Sequence, residues 1–243
     1  MSDATWWGNL YDDALADVLM SSDAGVDATI AFLVGALRLA PGDAVFDQCA
    51  GTGRLAIPLR RWGARVFAVE QAVRYVERAR AADPALQIVA GDAFAYVPPE
   101  PCRGALNWWT SFGYLADDAG NQRMLRRAFD ALAPGGRFAL DYMNVPGICA
   151  HFRAHDIQRR GELLMLRDTR LDLAAGVMHK TWTFVAPDGT RRVRPSQVRM
   201  YAPDRLVQLM TDVGFTGCEV FGDVDGQALA LTSPRCIVVG LKE

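Results

Sequence analysis

Histidine and paired cysteine are what this chain has little of. Three histidines occur in 243 residues, and the five cysteines, Cys49, Cys102, Cys149, Cys218 and Cys236, stand far apart. No Cys-x-x-Cys occurs and no histidine clusters with a thiol, so a zinc site is not expected and no metal is assigned. Scattered thiols suit a reducing compartment. The N-terminus lacks a basic segment followed by an apolar run, so no secretory leader is expected and the location read from the chain is cytoplasmic. No apolar run is long enough for a membrane span. A net charge of −2 supplies no basic field to steer nucleic acid. Repeats and low-complexity tracts are absent. What is present is 51% hydrophobic residues, enough for a sizeable core, in a length that suits one compact α/β domain with a small insertion.

The most informative stretch is Ala44-Val45-Phe46-Asp47-Gln48-Cys49-Ala50-Gly51-Thr52-Gly53-Arg54. A strand-like run meets a turn with two glycines one residue apart, and a helix-like pattern follows at once. Glycines at such a turn let backbone pass close to a ligand, because no Cβ intervenes. A second strand-like run, Arg65 to Val69, ends on Glu70. A glycine turn followed by a strand-end carboxylate is how α/β proteins hold a nucleoside, since the carboxylate can accept from both ribose hydroxyls.

Around this stretch the pattern is organised. Residues 3–40 read as helices, with Ile30, Leu33, Val34 and Leu37 on one face of Asp27–Leu39. Strand and helix patterns then alternate: Ala44–Asp47, Arg54–Trp62, Arg65–Glu70, Ala72–Ala82, Gln87–Ala90, Ala105–Trp108, Asn121–Leu132 and Arg137–Asp141. Alternation of that kind predicts a parallel sheet with helices on both faces. After Asn144 three strand-like runs follow, Leu163–Leu173, Val177–Val185 and Thr190–Tyr201, with Asp188-Gly189 as a hairpin signal. They read as an antiparallel meander inserted before a helix, Pro203–Val213. Gly217–Phe221 and Cys236–Leu241 then read as a closing hairpin at the sheet edge.

With these signals in order, the chain resembles the class I S-adenosylmethionine (SAM) dependent methyltransferases over about 200 residues. Asp47-x-x-x-Gly51-x-Gly53, Glu70, Gly91-Asp92-Ala93, the run Asn107 to Tyr114, and Leu132-Ala133-Pro134-Gly135-Gly136 carry the resemblance. Thr110-Ser111-Phe112-Gly113-Tyr114 and Leu10-Tyr11-Asp12 are similar to a bacterial subgroup that usually acts on small molecules. The resemblance implies a Rossmann-like, doubly wound, mostly parallel seven-stranded sheet with a C-terminal β-hairpin and an antiparallel β-meander inserted after strand 5. Its expected divisions are 1–144 for the N-terminal helices and SAM-binding core, 145–201 for a substrate-covering insert, and 202–243 for the elements that complete the sheet. It also implies SAM as cofactor. The backbone of Gly51 and Gly53, flanked by Asp47, Ala50 and Arg54, would lie under the methionine part. Glu70, with Gln71 beside it, would grip the ribose. Gly91, Asp92 and Ala93 would meet the adenine, Asn107 and Trp108 would face the methionine, and Tyr11 would cover the cofactor. Cys49 stands where the family usually has glycine, and would line the pocket. The acidic residue usual near Gly104 is absent.

Other readings compete at particular residues. Gly51-x-Gly53-x-x-Ala56 also fits a dinucleotide fingerprint, which would make the chain an NAD-linked oxidoreductase. A SAM- or nucleoside-binding module without catalysis is a third reading. Asp47 and Gly91-Asp92 favour SAM. Trp109, Tyr114, Asn144 and Arg199 are the residues expected to touch substrate, Arg199 as an anchor for a substrate carboxylate. Tyr114, His151 and His155 are the expected proton acceptors if the methylated atom needs one. An amine needs only its lone pair, and no Asp/His pair is evident, so metal-independent N-methylation of a small molecule is favoured over O- or C-methylation. The expected partner is a small-molecule acceptor, without nucleic acid or membrane; a homodimer is compatible with the sequence.

Overall fold

The computed structural model describes residues 6–19 and 25–243. The chain begins with α1 (Trp6–Leu10), α2 (Asp13–Leu19) and α3 (Val26–Ala36). Residues 3–5 and 20–24 of the helical region expected from the sequence lie outside the described residues. The end of α3 closes as a Schellman turn: Leu39 N–H donates to Val34 O at 2.9 Å and Arg38 N–H to Gly35 O at 3.1 Å. The left-handed residue this turn demands is Arg38, φ 53°, where glycine would be usual.

The main sheet then builds by strand–helix alternation: β1 (Ala44–Gln48), α4 (Ala56–Trp62), β2 (Arg65–Glu70), α5 (Val73–Ala82), β3 (Gln87–Ala90), β4 (Cys102–Asn107), α6 (Asp118–Ala131) and β5 (Leu132–Tyr142). The last two strands are β10 (Thr216–Phe221) and β11 (Cys236–Leu241), preceded by α8 (Pro203–Val213). The order across the seven-stranded sheet is β10-β11-β5-β4-β1-β2-β3. β1 to β5 run parallel, and β11 pairs antiparallel with β5 and with β10. β1, with helices on both faces, is buried at every position, so Ala44-Val45-Phe46 has no polar alternation. One face packs Phe46, Ala105, Phe138 and Leu140 against α6 and α8; the other packs Val45, Val66, Leu106 and Ala139 against α3 and α4. Strand order reverses between β1 and β4, which puts the switch point of the sheet at the glycine turn after β1.

After β5 come a short helix, α7 (Val145–Ala150), and a second sheet: β6 (His155–Arg160), β7 (Leu163–Asp172), β8 (Val177–Val185) and β9 (Arg191–Arg199), antiparallel and in sequential order. The insert therefore has a fourth strand, β6, ahead of the three expected. His-Asp-Ile-Gln-Arg-Arg carries a single apolar residue, and as an edge strand it needs little more. The insert is not separate from the N-terminal helices. Met165, Trp182 and Phe184 form one apolar cluster with Trp6, Leu10, Leu15 and Val18, against which Trp7, Tyr11 and Tyr114 pack.

Candidate active site at the carboxyl edge of the main sheet

The turn after β1 is fixed by its own backbone. Ala50 N–H donates to Val69 O and Gly53 N–H to Ala50 O, each at 3.0 Å. Three residues here are left-handed: Cys49 at φ 67°, Gly51 at 57° and Gly53 at 80°. Cys49 thus occupies a conformation that costs an ordinary residue roughly 1–2 kcal/mol and that glycine adopts freely. Gly53 could not be replaced quietly, since a Cβ there would meet Ile57 at 3.1 Å and Ala79 at 3.2 Å.

Glu70 closes this turn from the end of β2. One carboxylate oxygen accepts from Gly51 N–H at 2.9 Å and the other from Ala72 N–H at 2.8 Å. Burial raises its pKa, and these amide donors pull it back down. Glu70, Gln71, Ala72, Val73 and Arg74 form one wall of a cleft of about 430 Å³, and Trp7, Gly8, Tyr11 and Asp13 form the other. Trp7 Nε1 donates to Gln71 Oε1 at 3.1 Å, so α1 is latched to the residue after Glu70. Asp47, 3% exposed, is pushed up to about 7, first by burial and then by the charge of Glu70.

Four aromatic rings cluster beside this cleft, two of which, Trp7 and Tyr11, line it. The Tyr11 and Tyr114 hydroxyls hydrogen-bond each other, and the two rings lie 6.4 Å apart and nearly parallel. Tyr114 also packs on Trp6 at 4.8 Å and Trp7 at 6.0 Å. Burial pushes both phenols up, as it does the Cys49 thiol, with the Glu70 carboxylate adding in each case. At neutral pH the tyrosine pair is therefore uncharged, able to donate and accept hydrogen bonds but poor at abstracting a proton.

The remaining expected residues are placed as follows. Asp92 is exposed after β3 and accepts from Phe94 N–H at 2.8 Å; Gly91 N–H donates to Glu70 O at 3.0 Å. Ala93 O accepts from Gln48 Nε2 at 3.2 Å. Asn107 ends β4 fully buried. Its Nδ2 donates to Gln48 Oε1 at 3.1 Å, while its Oδ1 has no hydrogen-bond partner among the described residues. Trp108 is buried with its Nε1 likewise unpartnered. Trp109 is 37% exposed and carries the Arg54 guanidinium 4.5 Å over its ring.

Four residues are engaged elsewhere. Asn144 caps α7 and donates to Ala230 O and Ser233 O, each at 2.9 Å, so it ties the β10–β11 connection to the sheet edge. Arg199 donates to Asp118 at 3.0 Å and to Ala175 O at 3.1 Å. His155 Nδ1 lies 2.7 Å from Asp168 on the exposed side of the second sheet, and His151 is exposed at the end of α7. The structure does not bring either histidine to the cleft walls.

Two residues were not singled out by sequence. Gln48 bridges Asn107, Ala93 O and Met124 O beneath the turn, fixing the ends of β1 and β4 relative to α6. Asp141, 1% exposed at the end of β5, accepts from Trp109 N–H at 2.8 Å and Arg235 at 2.6 Å. It pins two consecutive left-handed residues, Trp109 and Thr110. Each would need its partner in three dimensions to be noticed; Arg235 is 94 positions away.

With this geometry in place, the likeness to known proteins is informative. Residues 45–136 match the family model described as a methyltransferase domain. Over 95 residues the chain is 34% identical to a protein-L-isoaspartate O-methyltransferase of Methylorubrum extorquens, covering 37% of this chain and 42% of that protein, so the match spans less than half of the curated relative. Among solved structures, the CcbJ methyltransferase of Streptomyces caelestis is 22% identical, with TM-score 0.79, covering 96% of this chain and 97% of that one. CalS10 of Micromonospora echinaspora, an amino pentose methyltransferase involved in calicheamicin biosynthesis and solved with SAM bound, is 17% identical with TM-score 0.67, covering 96% and 97%. Among the described residues no helix is long and apolar enough to cross a membrane, and no group of histidine, cysteine and carboxylate side chains could hold a metal ion.

Proposed function

We infer that this chain is a class I SAM-dependent methyltransferase, that it moves a methyl group from SAM to a small-molecule acceptor, and that the accepting atom is an amine nitrogen. One observation carries the first half. Glu70 is held by two amide donors on the wall of a cleft at the switch point of the sheet, with both oxygens oriented and lone pairs still available for a diol. The chain's other groups suit the same ligand. The left-handed turn Cys49 to Gly53 offers close backbone approach. The buried Oδ1 of Asn107 is an acceptor wanting a donor, and Asp47 is a carboxyl whose ionised form wants a cation. SAM, when bound, supplies a methyl already activated by a sulfonium.

The residues then have little covalent chemistry to do. They position the two reactants in line and exclude water. Trp7 and Tyr11, with Tyr114 packed on both rings, provide the apolar wall that does the excluding. The choice of nitrogen rests on the tyrosine pair. Phenols kept neutral by burial are weak bases, and neither histidine borders the cleft. An uncharged amine needs no base, and a Tyr114 or Tyr11 hydroxyl can accept its N–H and aim the lone pair. The amino pentose acceptor named for CalS10 is in keeping with this reading.

The test is release of S-adenosylhomocysteine in the presence of matched small amines and their hydroxyl analogues. Turnover of amines alone is expected; turnover of hydroxyl compounds in preference to amines would reject nitrogen. Absence of both SAM binding and turnover would favour a nucleoside-binding module of another kind.

A further inference from the structure

The chain uses arginine for almost all of its positive charge. Of 26 basic residues only two are lysines, Lys180 and Lys242. Lys242 has a structural place, donating to Phe129 O at 2.9 Å and Leu132 O at 2.6 Å at the end of α6. Lys180 has no such place. It lies on β8, and strand register shows which face it shares. Met165, Arg167, Thr169 and Leu171 of β7 pair with Phe184, Trp182, Lys180 and Met178 of β8, and these with Arg192, Arg194, Ser196 and Val198 of β9. Met165, Met178, Trp182, Phe184 and Ser196 are buried, so this is the inner face, the one that meets Trp6, Tyr11 and Tyr114.

On that face Thr169, Lys180 and Ser196 stand side by side in register. Trp182 Nε1 donates to Ser196 Oγ at 2.8 Å, which occupies an acceptor position of the hydroxyl and leaves its proton to donate elsewhere. The Lys180 ammonium sits 5.6 Å from the Trp182 ring centroid and forms no ion pair among the described residues. The nearby charges do not neutralise it: Asp156, the carboxylate that acts on it, is already paired with Arg167, whose Nε lies 2.9 Å away. A hollow of about 380 Å³ reaches the row at Thr169 and is otherwise bordered by Arg170, Leu171, Leu173, Cys149 and Phe152. Burial and the neighbouring Arg167 push the Lys180 ammonium down to about 8. A partly buried ammonium without a counter-ion is costly unless a ligand supplies one.

We propose that the row Thr169–Lys180–Ser196 is an acceptor subsite that binds a carboxylate, so that the methylated molecule is an amine that also carries a carboxylic acid. This rests on the reading of the chain as an enzyme whose acceptor lies beneath the second sheet. The Lys180 charge, flanked by two hydroxyl donors, matches a monoanion with two acceptor oxygens. It also explains why a lysine, a compact charge with rotatable donors, stands where this chain otherwise uses arginine.

Two measurements test it. With carbon-13 labelled lysine, the protein gives two Cε signals, and Lys242 is the internal reference. Titration with acetate is expected to move the Lys180 signal saturably and raise its titration midpoint, while acetamide does neither and Lys242 stays still. A Lys180 signal that responds no more than Lys242, or that responds to inorganic phosphate but not to acetate, overturns the proposal. The second measurement compares amino acids with their carboxamides as acceptors, reading S-adenosylhomocysteine. The wild type is expected to prefer acids, and Lys180→Gln to lose that preference by about tenfold to a hundredfold in kcat/KM with SAM affinity kept. Lys180→Arg, which keeps the charge, is expected to restore part of it. Equal use of acids and amides by the wild type sinks this subsite and leaves methyl transfer standing. No turnover of any acceptor counts against methyl transfer, and the labelled-lysine titration then decides the subsite alone.

Discussion

Asp47→Asn is expected to stabilise the ligand-free protein and weaken it as a SAM binder. Asp47 is buried at the end of β1, and burial with the charge of Glu70 lifts its carboxyl from 3.8 to about 7. For an acid whose folded pKa lies above its unfolded one, the folded state holds the extra proton between those values. Stability therefore falls as pH rises from about 4 to about 7 and is flat beyond. A rise of about three units at ~1.4 kcal/mol each puts the full cost near 4 kcal/mol, an upper bound because relaxation and water reduce it. Asparagine has no charge to lose. At pH 8 the ligand-free variant is expected to melt above the wild type, by roughly 2–4 °C for each kcal/mol in a chain of this size, and at pH 4 the two should converge. SAM brings positive charge that favours the ionised carboxylate, so saturating SAM should raise the wild-type melting temperature more than the variant's. Differential scanning fluorimetry at several pH values, with and without SAM, reads all of this. A variant that melts below the wild type at pH 8, or by an offset that ignores pH, would refute the reasoning.

Glu70→Ala removes the acceptors at the cleft wall and frees two amides, and should weaken SAM binding by about 1–3 kcal/mol in a calorimetric titration; unchanged affinity would displace the ribose from this wall. Cys49→Gly relieves a left-handed residue and should raise the unfolding free energy by up to about 1 kcal/mol, read as a higher melting temperature, the gain being partly offset by greater freedom of the unfolded chain. Arg199→Met breaks the bond to Asp118 and should cost about 1 kcal/mol or less of stability, because both side chains are partly exposed; a raised acceptor KM at unchanged stability would instead restore Arg199 as an acceptor anchor.

Much of the fold was legible because β1 and β2, buried runs bounded by helix patterns, announce a parallel sheet without help from distant residues. Pro203–Val213, with proline at its start and Gly214 at its end, is readable for the same local reason. Boundaries failed where a cap was overlooked. Asp117 accepts from Gly120 N–H at 2.6 Å and starts α6 at Asp118, ahead of the Asn121 expected from apolar spacing. β6 was invisible because an edge strand of charged residues has no period to detect.

The meeting of the glycine turn with Glu70 was legible, because both sit at strand ends. Residues that depend on distant partners were not. Lys180, Asp141 and Gln48 acquire meaning only from partners across the fold: the inner face of the second sheet, Arg235, and the ends of β4 and α6. His155 looked like an active-site residue because it follows β5 in sequence, yet the register of β6 turns it to the exposed side beside Asp168.

The central claim is that the cleft beside Glu70 holds SAM. Calorimetric titration of the ligand-free protein with SAM and with NAD tests it most directly. Saturable binding of SAM, lost or weakened in Glu70→Ala, with no heat from NAD, is the predicted result. Binding of NAD, or SAM binding indifferent to Glu70, would contradict it.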